Sequence, residues 1–259
     1  VLFPLYIALV ATTDTFDVLI GSTPLWFGGE FLKNFTTVLT QGLKAAGGIP
    51  VWVMMANSLV MALGIAIGKI AISITAAYAI VYFRFPGREL CFVLIFITLM
   101  MPVEVRIVPT FQVAANLNFI DSYLGLVLPL IASATATFLY RQMFMTIPAE
   151  LLEAARIDGA GPWRFFVDVV LPLSRTNTAA LFVVLFIYGW NQYLWPLLVT
   201  NQESMYTIVM GIQRMVNIPD AVPEWNLIMA VALLGMLPPL LVVLGMQKLF
   251  VRGLVETEK

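Results

Sequence analysis

The chain has 259 residues, 61% of them hydrophobic and 11% charged, with a formal net charge of −1. Soluble domains carry roughly 25% charged residues, so this composition belongs to a bilayer. The near-neutral charge gives no argument for nucleic acid. The lack of histidine removes the usual general base and the commonest metal ligand, and a single cysteine, Cys91, excludes an internal disulfide or a thiolate metal cluster.

In chain order, Val1 to Thr12 is apolar but shorter than the about 20 residues a crossing needs, and reads as the outer end of a first helix whose start is missing. A cleaved signal peptide is the alternative, although neither a basic start nor a small-residue cleavage site is visible. Residues 14–50 are mixed and polar, with Gly28-Gly29 and Gly47-Gly48 as breaks, and suit a first external loop. Asn34-Phe35-Thr36 matches a glycosylation sequon, a triplet common by chance. Residues 51–83 form an apolar block longer than a bilayer requires. Within it Gly64 and Gly68 stand four apart, a spacing that lets another helix approach closely. The stretch GIAIGKI imitates a phosphate-binding loop but fails twice. Its glycines are one residue too close, and Ile70 stands where a hydroxyl would ligate magnesium.

Arg84-Phe85-Pro86-Gly87-Arg88 is a tight basic turn. Residues 89–112 predict a third crossing, interrupted by Pro102 and Pro109 around Glu104 and Arg106, with Cys91 expected to be buried packing. Asp121 and Ser122 precede a fourth crossing over 123–145. A polar loop follows at 146–175, then a fifth crossing over 176–199 that ends in YGWNQYLWPLL. Residues 200–224 suit a second external loop. Residues 225–249 predict a sixth crossing, which Pro238-Pro239 should bend, before the tail 250–259. The expectation is an all-α, polytopic, six-helix membrane protein forming a single transmembrane domain over 1–259. Basic residues support one orientation. Arg84, Arg88, Arg141, Arg156, Arg164, Arg175, Lys248, Arg252 and Lys259 fall on one side, against Lys33, Lys44, Arg106 and Arg214 on the other, which places the loop 146–175 in the cytoplasm.

That loop holds the stretch ELLEAARIDGAGPWRFFVDVVLPL. Pro148 and Glu150 suit a helix start, and Leu151, Leu152 and Ala155 are expected on one apolar side. Gly159 and Gly161 should stop the helix, Pro162 fits the first turn of a second, and Pro172 separates that one from the next apolar block. A helix–glycine–helix bracket of this kind suits docking on a partner. An interfacial helix lying on lipid headgroups is the alternative.

Glu153-Ala154-Ala155, three residues, Gly159, nine residues, then Val169-Val170-Leu171-Pro172 resembles the EAA signature of ATP-binding-cassette importer permeases. Tyr78-Ala79 followed by Arg84 to Arg88, and the ending Gln247 to Leu254, are similar to permeases of the carbohydrate-uptake, maltose-type group. FITLMMPVEVRIVPT, LPLIASATATFLYRQMFMTIPAELLEAARIDGA and IYGWNQYLWPLL resemble the branch of that group that imports sn-glycerol-3-phosphate. The resemblance implies a type I importer permease whose loop 146–175 is a coupling helix, with Glu153, Ala154, Ala155, Asp158, Gly159 and Pro172 in the coupling role. It also implies a sister permease, two ATPase subunits that bind the ATP and magnesium, and a periplasmic binding protein. The chain itself would hold no cofactor and do no catalysis.

A path for a small phosphorylated polyol needs cations and hydrogen-bond donors. Lys69, Glu104 and Arg106 lie in expected crossings, where charges commonly face a polar interior. Their alternative role is to neutralise one another between helices. Tyr188, Asn191, Gln192 and Trp195 recur at i, i+3, i+4 and i+7 and predict one polar-aromatic stripe. For these the alternative is an aromatic interface belt anchored by Trp195. A disaccharide or another polyol is the competing cargo. A secondary transporter would not explain the EAA bracket, and a membrane-embedded enzyme would need a cluster of nucleophile, base or metal ligands that is not seen.

Overall fold

The computed structural model describes residues 2–42, 47–98, 103–217 and 222–255, with side chains for all but 103–104 and 248–255. The described residues are nearly all helical and contain no strand. The helices are α1 (Leu2–Ala11), α2 (Phe16–Gly21), α3 (Phe31–Thr40), α4 (Val51–Tyr82), α5 (Arg88–Ile97), α6 (Val103–Asn116), α7 (Tyr123–Val127), α8 (Ala134–Met145), α9 (Ala149–Ile157), α10 (Pro162–Phe165), α11 (Leu171–Leu173), α12 (Arg175–Trp190), α13 (Leu194–Val199), α14 (Ile208–Val216) and α15 (Trp225–Val255). A π-helical turn, Phe166–Val170, joins α10 to α11.

Two helices are long and apolar enough to cross a bilayer alone, Val51–Tyr82 and Trp225–Gln247. Two bent pairs, Tyr123–Leu130 with Ala134–Met145 (48°) and Pro162–Leu173 with Arg175–Trp190 (71°), raise the number to four among the described residues. The expected crossings at 51–83 and 225–249 are thus continuous helices, and those at 123–145 and 176–199 are parts of bent pairs. Hydropathy averages over a window and does not register a break of one to three residues. The expected crossing at 89–112 is divided between α5 and α6, and Pro102 lies outside the described residues. The expected crossing at 123–145 breaks after Leu130, and Ser133 restarts the chain by accepting the Ala136 N–H at 3.3 Å as the N-cap of α8. At the far end of the bracket Pro172 does not itself divide the helices. It sits inside α11 after the widened π turn, and the break falls at Ser174. A proline cannot donate to the carbonyl four residues back, which a widened turn accommodates.

Two compact units can be described separately. The first comprises Val1–Met61, Leu117–Leu126 and Gly189–Val242. Here α4 is tied to the segment before α14 through Asn57, whose amide donates to the Ser204 and Tyr206 carbonyls (2.7 and 3.0 Å) and accepts from the Tyr123 hydroxyl (2.7 Å). Ser58 accepts the Ile208 N–H at 2.8 Å, at the start of α14. Asn34, the sequon asparagine, is buried. Its amide donates to the Thr12 and Asp14 carbonyls, both at 2.9 Å, so the triplet is structural.

α15 passes through Pro238 and Pro239 without a break. Pro239 cannot donate to the Gly235 carbonyl, and the Trp190 indole supplies that hydrogen bond at 3.0 Å. Trp190→Phe keeps an aromatic ring, though a smaller one, and removes this donor. It should lower stability by about 1–3 kcal/mol, the cost of a buried polar group left unpaired. Thermal unfolding of the detergent-purified chain checks this, and an unchanged midpoint would refute the assignment.

The second unit comprises Ala62–Asn116, Val127–Tyr188 and Val243–Lys259. Gly64 and Gly68 do mark a close approach. A Cβ on Gly64 would lie 2.9 Å from the Val127 side chain, and one on Gly68 would lie 2.5 Å from that of Ile131. Ser73 donates to the Ser133 carbonyl at 3.2 Å and the Tyr140 hydroxyl to that of Thr178 at 2.9 Å. Cys91 is exposed on α5 beside exposed Leu90, Val93 and Leu94, contrary to the buried packing expected. An apolar run in lipid need not be covered by protein, because the hydrocarbon is as apolar as a core.

Candidate functional site

The polar stretch between the apolar blocks folds as a bracket. α9 has Pro148 as its N-cap and Glu150 in its first turn, where a carboxylate suits the helix dipole. It closes with two backbone bonds, Ala160 N–H to the Ala155 carbonyl (2.8 Å) and Gly159 N–H to the Arg156 carbonyl (3.1 Å). This is the Schellman pattern, and it needs a left-handed residue at Gly159, which has φ +71°. Gly161 then caps α10, with Pro162 in its first turn. The helix stop and restart therefore fall where the glycines and proline predict.

The inner side of the bracket is fixed to the second unit's core. Phe165, Phe166 and Val170 are buried with Ile74, Ala77 and Tyr78 of α4 and Tyr140 and Phe144 of α8. The Tyr78 hydroxyl donates to the Pro162 carbonyl at 2.6 Å, and the Tyr78 and Phe166 rings lie 4.7 Å apart. The Tyr82 ring meets that of Phe165 edge-on at 5.3 Å, and its hydroxyl donates to the Phe144 carbonyl at 3.3 Å. Leu152 and Ala155 of α9 pack against the same cluster. Leu151 does not join them and is exposed. It stands one residue, about 100° of helix, away from Leu152 and so turns out of the packed stripe.

The outer side carries Glu153, Ala154 and Asp158, all exposed, with Ala155 half-buried. Pro172, at the far end of the bracket, is also exposed. Two large apolar side chains near them are exposed, against the rule that apolar residues fill the core. Ile157 is 86% exposed and Trp163 72% exposed. Each stands two residues from a packed one, Ile157 from Ala155 and Trp163 from Phe165, and so turns to the other side of its short helix. Arg164 and Asp168 pair at 3.2 Å on the surface, an i,i+4 contact of small energetic weight. A cleft of about 400 Å³ between the end of α4 and the bracket is lined by Tyr78, Tyr82, Arg84, Leu152, Arg156 and Pro162.

The substrate-path candidates are distributed differently. Lys69 is 7% exposed on α4, and its Nζ lies 3.9 Å from the centroid of the Tyr188 ring on α12. Arg106 is exposed on α6, and the Glu104 side chain lies outside the described residues. So do the side chains of Lys44, Lys248, Arg252 and Lys259, which entered the charge argument. The expected stripe of Tyr188, Asn191, Gln192 and Trp195 does not form on one helix. α12 ends at Trp190, Asn191 to Tyr193 are non-helical, and Trp195 belongs to α13. Pro196 cannot donate to the Gln192 carbonyl, and its ring crowds that oxygen, so the ladder cannot run through. Trp195 is buried and its indole donates to the Gly125 carbonyl at 2.9 Å, which is a packing role and not that of a belt anchor.

Comparison with known proteins matches this architecture. The chain is 58% identical over 260 residues to a protein of Yersinia pestis bv. Antiqua (strain Antiqua), and 56% identical over 261 residues to one of Salmonella choleraesuis (strain SC-B67). Both are named sn-glycerol-3-phosphate transport system permease protein UgpE, and both matches cover 100% of this chain and 92% of the relative. A solved bacterial ABC transporter involved in the import of the acidic polysaccharide alginate aligns with a TM-score of 0.82 at 20% identity, covering 95% of this chain and 90% of that one, which shows a shared fold. The family model for the binding-protein-dependent transport system inner membrane component matches residues 69–256, so the chain, a multi-pass permease with an ABC-importer fold, belongs to that family.

Proposed function

We propose that the chain is one of two permease subunits of an ATP-driven importer for sn-glycerol-3-phosphate, which it receives from a periplasmic binding protein. The observation that carries this reading is 56–58% identity across the whole chain to permeases named for that transport. The partners are a sister permease and two ATPase subunits, which hold the ATP and magnesium. The intact chain crosses the membrane six times. The outer side of the bracket, with Glu153, Ala154 and Asp158, docks on an ATPase. Its inner side is bonded to α4 and α8, so a push on α9 passes through Tyr78, Phe165 and Phe166 into the membrane helices. Alternating access follows from that motion. The path residues proposed for cargo are Lys69, Glu104, Arg106, Tyr188, Asn191 and Gln192.

Substrate-stimulated ATPase activity of the purified complex, screened over glycerol phosphates and sugars, tests the cargo. Stimulation by sn-glycerol-3-phosphate above the sugars is expected, and stimulation by a disaccharide or a neutral polyol alone would overturn it. The orientation has a separate test. In a Cys91→Ser background, Arg156→Cys and Arg164→Cys should resist an impermeant thiol reagent added from outside, whereas Lys33→Cys should react. External labelling of the first two would reverse the topology.

A further inference from the structure

Lys69 is the only charged residue in the 32-residue helix α4. It is buried, and among the described residues no carboxylate lies within ion-pairing distance of it. An ammonium at this position is costly, and such residues mark substrate or ion pathways. Its contact is the face of the Tyr188 ring at 3.9 Å. A ring face attracts the ammonium but leaves its charge uncompensated. An ammonium has three rotatable donors, so one that rests on a ring can still give N–H groups to an anion beside it. A buried ammonium with no carboxylate in ion-pairing distance among the described residues forms a place that a phosphate group would complete.

We infer that Lys69, resting on the Tyr188 ring, is the subsite for the phosphate group of the cargo. Lys69 is then a specificity-determining residue, and Tyr188 is a positioning residue that holds the ammonium in place when no phosphate is bound. The inference rests on the cargo reading given above.

The test uses the full complex in proteoliposomes, with radiolabelled sn-glycerol-3-phosphate as the probe. ATP hydrolysis is measured with the binding protein alone and with binding protein plus cargo. Lys69→Met should cut uptake about ten- to a hundredfold, the range set by losing a hydrogen bond to a charged group. It should abolish the cargo-dependent part of hydrolysis. Lys69→Arg should restore most of the uptake. If the wild-type complex itself takes up no sn-glycerol-3-phosphate, the cargo reading has failed. If the wild type transports and an assembled Lys69→Met complex transports equally well, this inference is overturned and the cargo reading stands. Equal loss of both parts of hydrolysis would assign Lys69 a structural role and overturn it too. Should Lys69→Met fail to assemble, Tyr188→Leu decides. Loss of cargo-dependent hydrolysis in that variant, with Tyr188→Phe normal, supports the inference, and normal uptake in Tyr188→Leu sinks it.

Discussion

Gly159→Leu is expected to stop transport while leaving membrane insertion intact. The residue holds φ +71° at the end of α9, and a Cβ built there meets nothing within 4 Å. Crowding is therefore not the cause of the effect. The left-handed backbone itself costs a residue with a Cβ about 1–2 kcal/mol. Two bonds depend on that conformation, from the Ala160 and Gly159 N–H groups to the Ala155 and Arg156 carbonyls. The chain relieves the strain by redirecting the link to α10, and the outer side of α9 then leaves its angle to the partner. Glu153→Lys attacks the same proposed interface from outside by reversing an exposed charge. If Glu153 acted only on the helix end, its effect would be about 0.3–1 kcal/mol, too little to abolish function. Both variants should insert normally. Each should then either release the ATPase or leave its hydrolysis uncoupled from uptake. Wild-type transport by both, with the ATPase still bound and substrate-stimulated, would remove the coupling role from the bracket.

Phe165→Ala should be the most destabilising single change in the bracket. The ring is 2% exposed within the cluster that joins α10 to α4 and α8, and it meets Tyr82 edge-on at 5.3 Å. Truncating a buried phenylalanine costs about 3–5 kcal/mol. A large fall in the unfolding temperature of the purified chain is expected, with loss of uptake even where the protein still inserts. Trp163→Ala is the contrasting change two residues earlier. Its ring is exposed and touches Phe166 at a centroid distance of 5.6 Å. Its stability effect should stay within about 0.5 kcal/mol, as for surface positions. Retention of the ATPase by the complex should nevertheless fall, because exposed tryptophans are frequent anchors at interfaces. If Trp163→Ala unfolds the chain, or Phe165→Ala does not, the assignment of inner and outer sides is reversed.

The amino-acid sequence by itself determined the features that depend on local backbone constraints. Gly159 specifies a helix stop through its positive φ and Pro162 a restart through its missing N–H, and the chain obeys them whatever surrounds it. Gly64 and Gly68 likewise leave room for Val127 and Ile131 because no Cβ occupies the space. The long apolar helices α4 and α15 were legible from hydropathy alone. Tertiary structure decided what depends on a partner distant in the chain. α15 continues past Pro239 with the Gly235 carbonyl paired to an indole 45 residues away. The run from Tyr188 to Trp195 had helical spacing, but Pro196 broke the ladder and Gly125 drew Trp195 into the core. Leu151 and Leu152 are the same residue type in adjacent positions, and only the place of the aromatic cluster determines which of them is covered. Cys91 sits in an apolar run, and the sequence carries no sign of whether lipid or protein faces it, since both are equally apolar.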